Sequence, residues 1–171
     1  MKHSLLLAGF ALSLAGLVSA ADLGRTRLTM DGAGPLRIGM SQAQVERVLG
    51  RRLAPAEDYE EDTNCRYATP EGIADGLGLM LIDGRLVRID VEKSAHQSLS
   101  GARVGDTSAA VRRKIGGLRD SEHAYSGPEG RYLTKYSSDR RRGIRFEIED
   151  GKVSRYYVGT AQAIQYVEGC L

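Results

Sequence analysis

The feature that most constrains the fold is an internal repeat of a helix-forming segment. Residues 38–50 read Ile-Gly-Met-Ser-Gln-Ala-Gln-Val-Glu-Arg-Val-Leu-Gly, and residues 104–116 read Val-Gly-Asp-Thr-Ser-Ala-Ala-Val-Arg-Arg-Lys-Ile-Gly, at an offset of 66. Ser41 and Thr107 are predicted to cap two helices, because a hydroxyl oxygen accepts from the free amides of a first turn. Gln44 completes a capping box in the first copy.

An apolar stripe at helical spacing follows each cap. The stripe residues are Val45, Val48 and Leu49 in the first copy and Ala110, Val111 and Ile115 in the second. Lys114 stands where the first copy has Val48. Gly50 and Gly116 are predicted to end the two helices in the left-handed conformation that glycine tolerates.

The part of each copy that follows the helix predicts a hairpin. The strand segments are 79–82 and 85–91 in the first copy, and 144–149 and 152–158 in the second, at an offset of 67. Asp83-Gly84 and Asp150-Gly151 lie between them, and Asp-Gly accepts the positive φ angles of a tight two-residue turn. An earlier strand is predicted at 65–67 and at 130–132. Each unit is therefore expected to contain one helix and three strands.

These elements predict an α+β fold in which two tandem helix-plus-antiparallel-hairpin repeats form a sheet with the helices packed on one face. A unit of about 66 residues would bury too little surface alone, so we expect the two units to share one core. The predicted divisions are a signal peptide at 1–20, an N-terminal lead-in at 21–35, repeat unit 1 at 36–93, a linker at 94–101 and repeat unit 2 at 102–171.

A family resemblance rests on the helix segment of the first unit. Ile38-Gly39-Met40-Ser41, leading to Val45, Leu49 and Gly50, resembles the Gly-Met-Thr helix signature of the small outer-membrane assembly lipoproteins known as SmpA/OmlA or BamE. Tandem duplication of such a unit is similar to the β-lactamase inhibitory protein architecture, a protein inhibitor with a concave sheet. The chain departs from both, because it has no cysteine at the signal cleavage site and no tryptophan. The resemblance implies a fold superfamily, not a target.

The first twenty residues predict export. Lys2 is followed by an apolar run from Leu5 to Val18 and by the small-x-small ending Val18-Ser19-Ala20, which is typical of a signal peptide cleaved after Ala20. An uncleaved anchor is the alternative, although the run is short for a transmembrane helix. The expected location is therefore the periplasm or the extracellular space, with no lipid attachment and no stable membrane anchor.

The two cysteines are predicted to form one disulfide bond. In an oxidising compartment, Cys65 and Cys170 are more often bonded than free, and neither belongs to a Cys-x-x-Cys redox pair. Such a bond would tie the C-terminus to the first unit. The alternative is a buried free thiol and a frayed C-terminus.

The sequence carries no pattern typical of an enzyme, a cofactor site or a metal site. His96 and His123 are isolated and are interpreted as solvated loop residues, and no nucleophile motif or phosphate loop is present. Residues 57–62 hold five carboxylates but lack the spacing of a calcium loop, so they are interpreted as a solvated acidic loop. A bound cation or a contact with a basic partner are the alternatives. We expect no catalytic, cofactor-binding or metal-binding residues.

Charge divides unevenly along the chain. The whole chain has 24 basic and 22 acidic residues, which does not suggest a nucleic-acid partner. Residues 21–100 hold 10 basic and 13 acidic residues, net −3, whereas residues 101–171 hold 13 and 9, net +4. The basic half also carries the candidate interface, because tyrosine and arginine are the residue types that anchor protein interfaces. The candidate interface residues are Tyr132, Tyr136, Arg140, Arg141, Arg142, Tyr156 and Tyr157.

Two alternatives stay open for these side chains. An arginine triplet is commonly a solvated hairpin tip, and exported domains often use tyrosine in half-wet sheets. Arg88 and Arg155 occupy equivalent hairpin positions and are interpreted as scaffold residues whose stems pack over Leu79 and Phe146, with matched surface contacts as the alternative.

Together these observations predict an exported, non-enzymatic protein-binding module whose partner is a protein in the envelope or the extracellular space. An inhibitor of an envelope or secreted enzyme is one form of such a module. The alternative is an unlipidated structural or assembly factor of the bacterial cell envelope, and an enzyme or small-ligand carrier is the third class. An apolar and aromatic surface patch would favour protein recognition, whereas a closed pocket with convergent polar groups would favour a ligand site.

Overall fold

A computed structural model describes residue 23 and residues 26–55, 64–70 and 76–170. The predicted signal peptide at 1–20 and the acidic loop at 57–62 lie outside these described residues. The elements in chain order are β1 (Leu28–Thr29), β2 (Gly32–Ala33), α1 (Gln42–Leu49), β3 (Leu53–Pro55), β4 (Cys65–Pro70), β5 (Leu77–Ile82), β6 (Arg85–Val91), α2 (Ser108–Lys114), β7 (Arg119–Glu122), β8 (Arg131–Tyr136), β9 (Arg142–Glu149), β10 (Lys152–Thr160) and a 3-10 turn at Ala163–Gln165.

Eight of the strands form one antiparallel sheet, and β1 and β2 form a separate small hairpin. The strand order in the sheet is β3-β4-β5-β6-β10-β9-β8-β7, so the two halves of the chain meet where β6 pairs with β10. In that central pair, Val91 lies opposite Tyr156 and Ile89 lies opposite Val158. The α+β prediction is therefore confirmed in outline, as one sheet with α1 and α2.

Each half contributes four strands to the sheet, not the three that were expected. The additional strands, β3 and β7, directly follow the helices and form the two edges of the sheet. They were missed because β3 has only three residues and because β7, Arg-Asp-Ser-Glu, is exposed at every position and has no apolar alternation. The hairpins at Asp83-Gly84 and Asp150-Gly151 are confirmed, and both aspartates have positive φ angles.

The helix starts are confirmed, but one helix end is not. Ser41 accepts from the Gln44 amide and Gln44 completes the capping box, while Thr107 caps α2. Gly50 ends α1 in the left-handed conformation with φ 63°. The prediction for Gly116 was wrong. The side chain of Ile115 turns into the core from an extended C-cap, which moves the left-handed residue to Gly117, with φ 69°.

Matching backbone hydrogen bonds attach each helix to the hairpin of its own half. The amide of Gly39 donates to the Leu86 carbonyl at 2.7 Å, and the amide of Gly105 donates to the Val153 carbonyl at 2.9 Å. The return bonds also match, because Leu86 donates to the Met40 carbonyl at 2.8 Å and Val153 donates to the Asp106 carbonyl at 2.9 Å. Each helix therefore begins at a fixed place on the last strand of its half.

The two faces of the sheet differ in chemistry. Alternate strand residues, such as Leu79 and Phe146, pack with Val45 of α1 and Val111 of α2 in one apolar cluster, so both helices cover the same face. The intervening strand residues point to the opposite face. There, the C-terminal segment 161–170, which we call the C-terminal arm, lies against the sheet.

Residues 94–101, predicted as a linker, pack against the N-terminal hairpin. The Leu28 amide donates to the Gln97 carbonyl at 2.8 Å, and the Leu99 amide donates to the Leu28 carbonyl at 2.7 Å. Ser98 is buried. These contacts hold β1 beside the connection between the two halves.

Candidate functional site

The sheet face opposite the helices is lined by polar and aromatic side chains, and we call it the buried polar face. Its residues share two properties, since each is less than 10% exposed and each carries a hydrogen-bonding group. They are Tyr67, Arg88, Asp90, Tyr132, Thr134, Arg145, Glu147 and Tyr157. Buried polar groups are costly unless they are paired, so the pairing of these groups determines what the face can do.

The first centre of this face is an ion pair between Arg88 and Asp90. Nε and Nη2 of Arg88 contact the two Asp90 oxygens at 2.7 and 2.8 Å. The Tyr67 hydroxyl donates to Asp90 Oδ2 at 2.9 Å, and the Arg88 guanidinium lies 4.4 Å from the centroid of the Tyr157 ring. Burial opposes the charged guanidinium, but the Asp90 charge and hydrogen bonds outweigh it and hold the pKa of Arg88 above its ordinary value.

The C-terminal arm covers this ion pair. Nη1 of Arg88 donates to the carbonyls of Ala163 at 3.0 Å and Tyr166 at 2.7 Å. Ile164, a residue of the arm itself, is fully buried against the sheet. It fits because the opposing sheet residue is Gly143, where an added Cβ would lie 2.4 Å from Ile164 Cδ1. The C-terminal arm is thus packed and hydrogen-bonded against the sheet as an integral part of the fold.

A disulfide fastens the end of the arm to β4. Cys65 and Cys170 are bonded across 105 residues of chain, with their Cα atoms 5.3 Å apart. The predicted pairing is therefore confirmed. A loop of this length stabilises a fold by about 5 kcal/mol in the chain-entropy account.

The second centre of the buried polar face is Glu147. Its Oε1 accepts from the Tyr157 hydroxyl at 3.0 Å, and its Oε2 lies 3.0 Å from Nε of Arg155 and 3.3 Å from Nε2 of His123. Burial, reinforced by the Glu147 charge, raises the pKa of Tyr157. Every oxygen of this carboxylate is therefore occupied by groups of the protein itself.

The hydrogen bonds of His123 fix its tautomer. Its Nδ1 accepts from the backbone amides of Tyr125 at 3.2 Å and Ser126 at 3.1 Å, so Nδ1 carries no proton. The proton is therefore on Nε2, which faces the Glu147 carboxylate. The ring also stacks on Tyr132 with the centroids 4.5 Å apart, so His123 orders the loop at 123–130.

His123, Glu147 and Glu149 form a cluster whose ligand-type atoms all lie within 4.8 Å of one another. A metal on Nε2 of His123 would have to displace the proton that Nε2 carries. Nδ1 could not take up that proton, because two amide N–H groups already point at it. The cluster is therefore arranged as a hydrogen-bond network and not as a cation site.

The two histidines were expected to be solvated, and that expectation was wrong. His96 is 1% exposed and His123 is 9% exposed. His96 lies in the connection that packs against β1, and His123 is covered by its own loop. The sequence neighbours of both histidines are small or polar, which is typical of open loops and does not indicate burial.

Three of the candidate interface residues are buried, so the prediction that they contact a partner was wrong. Tyr132, Tyr156 and Tyr157 are 4%, 0% and 1% exposed. Tyr156 packs on the helix side, with its ring centroid 5.2 Å from that of Phe146. Tyr157 points to the buried polar face because adjacent strand residues face opposite sides. Both sides of this sheet are covered, which the composition of the strand alone does not indicate.

The remaining candidate residues lie at the turn between β8 and β9. Arg140 and Arg141 are exposed, as predicted, and Tyr136 is half-buried. Arg142 instead reaches back to the N-terminal segment, where its Nε lies 3.4 Å from Asp31 Oδ1 and its Nη1 donates to the Ile38 carbonyl at 3.5 Å. Arg142 therefore anchors the hairpin and only its two neighbours project outward.

Internal hydrogen bonds hold this turn in one conformation. Asp139 Oδ1 accepts from the Ser137 hydroxyl at 2.6 Å and from the Arg141 amide at 3.0 Å. The Arg140 amide donates to the Ser137 carbonyl at 3.0 Å, and Arg140 has a φ of 56°, which is uncommon for a residue with a side chain. These bonds also place the pKa of the Asp139 carboxyl below its ordinary value, with the Ser137 hydrogen bond as the largest cause.

Two open grooves flank the turn. One, of about 280 Å³, is lined by Arg119, Tyr136, Arg140 and Ala161, and the Arg119 guanidinium lies 5.7 Å from the Tyr136 ring centroid. The other, of about 530 Å³, includes Asp83, Arg141, Gln162 and Tyr166 in its lining. We call the set Arg119, Tyr136, Arg140 and Arg141 the hairpin-tip surface.

Sequence reasoning missed Asp90, Arg145 and Glu147 as members of the buried polar face. The interpretation of Arg88 as a scaffold residue agrees with its buried ion pair, but its stem does not lie over Leu79, which faces the helices. The sequence does contain a pattern that indicates these pairs. Arg88 and Asp90, like Arg145 and Glu147, are opposite charges two residues apart in a strand, so each pair shares one face.

Comparison with known proteins identifies the fold but no family. No protein-family model and no curated protein sequence matches this chain. The crystal structure of the uncharacterized protein yfeY from Escherichia coli is similar, with a TM-score of 0.50 and 16% identity, covering 78% of this chain and 99% of that one. At this identity the likeness shows a shared fold alone.

A second solved structure is an extracellular protein containing a SCP domain from Bacillus anthracis. It matches with a TM-score of 0.47 and 6% identity, covering 96% of this chain and 51% of that one.

In the part of the chain that the structure describes, no helix has the length and apolarity needed to cross a membrane.

Proposed function

We propose that this chain is an exported, non-enzymatic protein-binding module that engages an acidic surface of a protein partner through the hairpin-tip surface. The observation that carries the proposal is the exposure of Arg140 and Arg141 on a turn whose conformation is already fixed. Within the described residues, no carboxylate lies within ion-pairing distance of the guanidinium groups of Arg119, Arg140 or Arg141. The charged groups of these three exposed residues are therefore accessible to a partner.

The residue types and the fixed conformation of this surface suit it to anchor a protein interface. Arginine and tyrosine contribute large contact area together with directional polar groups. Binding normally costs free energy to order side chains and loops, and a turn held in advance by Ser137 and Asp139 reduces that cost. The positive φ of Arg140 is a strained feature that the surrounding bonds maintain, and such features concentrate at binding sites.

The buried polar face supports a binding role over an enzymatic one. The groups that would have to act in catalysis, His123 and Glu147 above all, are already hydrogen-bonded to one another. The hairpin-tip surface, by contrast, offers open grooves and unpaired cations.

The proposal includes an exported location for the protein and an origin of its two halves as a tandem repeat. The disulfide supports an oxidising location, the periplasm or the extracellular space. The matching hydrogen bonds of Gly39 and Gly105, and the mirrored strand order, support a tandem repeat of the kind that the SmpA/OmlA and β-lactamase inhibitory protein resemblance implies. An enzyme inhibited by the chain and an envelope assembly bound by it are the two partner types that this role would serve.

The test is differential capture from a cell-envelope extract. The disulfide-bonded protein is compared with Arg140→Ala/Arg141→Ala and with a matched control, Arg113→Ala/Lys152→Ala, which removes two exposed cations elsewhere. The proposal expects a partner that the wild type and the control retain equally, that the tip variant loses, and whose binding weakens with salt. Equal retention by the tip variant would refute the role of this surface.

A further inference from the structure

A third groove lies on the helix side of the sheet, between the N-terminal hairpin and the end of α2. Its volume is about 390 Å³, which falls at the lower end of the roughly 300 to 1,000 Å³ that small-molecule sites occupy. Its lining includes Leu28, Asp31, Leu99, Ile115, Lys135 and Ile144. It does not touch the hairpin-tip surface or the buried polar face.

The groove has an apolar wall that runs from the core to the surface. Leu28, Ile115 and Ile144 are buried members of the main apolar cluster, and Met30 packs against it. At the outer rim stands Leu99, whose 64% exposure makes it one of two large hydrophobic residues exposed among the described residues. An exposed leucine at the mouth of an apolar groove is the arrangement expected of a hydrocarbon-binding site.

The polar end of the groove is cationic. Lys135 Nζ donates to the Gly116 carbonyl at the end of α2, and among the described residues it has no carboxylate partner. Lys114 also lines the groove, but Asp106 Oδ2 pairs with it at 2.7 Å. The acidic residue of the groove, Asp31, lies 3.4 Å from Arg142 Nε. One ammonium group, that of Lys135, is therefore left uncompensated.

The corresponding place in the first half of the chain is apolar. At the offset of 66, Lys114 corresponds to Val48, which packs against the apolar cluster, and Ile115 corresponds to Leu49, which is buried in it. The N-terminal hairpin packs beside the connection that leads to the second half. Among the described residues, the two halves therefore differ in charge at the position of Lys114 and Val48.

We infer that this groove binds an anionic amphiphile with a single medium-length acyl chain, namely a fatty-acid carboxylate. The carboxylate would meet the ammonium group of Lys135, and the chain would lie along Leu28, Ile115 and Ile144 toward Leu99. Both parts of the ligand are needed, because an exposed ion pair alone contributes little and the apolar wall supplies the larger share of the binding free energy.

The test uses sodium decanoate below its micelle-forming concentration, titrated into the disulfide-bonded protein by calorimetry and by methyl NMR. A saturable single site is expected, with chemical-shift changes at the Leu28, Ile115 and Ile144 methyl groups. Acetate should not bind, and decyltrimethylammonium, which has the same chain length but the opposite charge, should bind at least tenfold more weakly. Equal affinity for the cationic and anionic amphiphiles would show an unspecific apolar surface and overturn the inference.

Two variants and one control locate the site. Lys135→Glu should weaken decanoate about five- to tenfold, whereas Lys152→Glu, the same charge change at a distant exposed turn, should leave it unchanged. Because Lys135 also caps the Gly116 carbonyl, the second variant is Leu99→Asp, at an exposed rim position that the fold does not need. If Leu99→Asp and Lys152→Glu bind decanoate alike, or the shifted methyl groups lie elsewhere, the groove is not the site.

Discussion

Both faces of this sheet are buried, but apolar packing stabilises one and paired polar groups stabilise the other. On the helix side, Phe146, Leu79 and their neighbours pack without directional requirements. On the other side, Arg88, Asp90 and Glu147 are buried only because each has a charged or hydrogen-bonding partner. Truncating an apolar side chain on the first face leaves a cavity, whereas removing a polar partner from the second leaves an uncompensated charge. The second face is therefore expected to respond more sharply to small chemical changes.

The largest expected effect is the loss of Arg88. Arg88→Ala should lower the free energy of unfolding by about 3–5 kcal/mol, because it leaves Asp90 buried and unpaired. Removing both charges with Arg88→Met/Asp90→Leu should cost clearly less, since no isolated charge remains. Urea denaturation of both variants measures the difference. Should the double variant be as unstable as the single one, the ion pair itself and not the stranded carboxylate would account for the loss.

The disulfide bond comes next in size. Cys65→Ser/Cys170→Ser should destabilise the protein by about 2–5 kcal/mol. The loss should be uneven, because the C-terminal arm covers only the buried polar face. Hydrogen exchange should therefore quicken in residues 161–170, while α1 and α2 stay protected. Uniform loss of protection across both faces would contradict this division.

Adjacent tyrosines allow a matched comparison of the two faces. Tyr157→Phe removes the hydroxyl that donates to Glu147 at 3.0 Å and should cost about 1–3 kcal/mol, because the carboxylate loses a partner in a buried site. Tyr156→Phe removes a hydroxyl that has no hydrogen-bond partner among the described residues and should be neutral or slightly stabilising. Thermal unfolding of the two variants is the measurement. Similar shifts for both would mean that the faces do not differ in this respect.

The smallest expected effect is on the pH dependence of stability, through Glu149 at the rim of the buried polar face. The Ser126 hydroxyl donates to Glu149 at 2.7 Å and, against the opposing effect of burial, lowers the pKa of Glu149 below its ordinary value. A carboxyl whose pKa is lower in the folded protein than in the unfolded chain stabilises the fold at pH values above its unfolded-state pKa. That stabilisation is lost as the pH falls through the folded-state pKa.

Ser126→Ala should therefore raise the pKa of Glu149 and reduce the loss of stability on acidification. The Glu149 carboxyl is followed by NMR titration, and Ser138→Ala, an exposed serine in another turn, serves as the control. A Glu149 titration that is unchanged in Ser126→Ala would show that this hydroxyl does not set it.

What the sequence predicts well is local. Ser41 and Gln44 form a capping box within four residues, and Asp83-Gly84 needs only its own backbone preference to make a turn. The cysteine pair was also predictable, because two cysteines allow one pairing. The buried polar face was not, since Arg88 is covered by the C-terminal arm and Glu147 by the loop that carries His123. Burial of this kind depends on how distant segments pack, which strand composition does not encode.

The mirrored strand order has a consequence for how this protein behaves at high concentration. Because the halves join at their longest strands, the sheet ends on both sides in the short strands β3 and β7. β3 ends in Pro55, which has no amide to donate, and β7 presents Arg119, Asp120 and Glu122 to solvent. Short, charged or proline-ended edges resist pairing with the sheet of another molecule. The architecture thereby protects an otherwise long sheet from growing into aggregates.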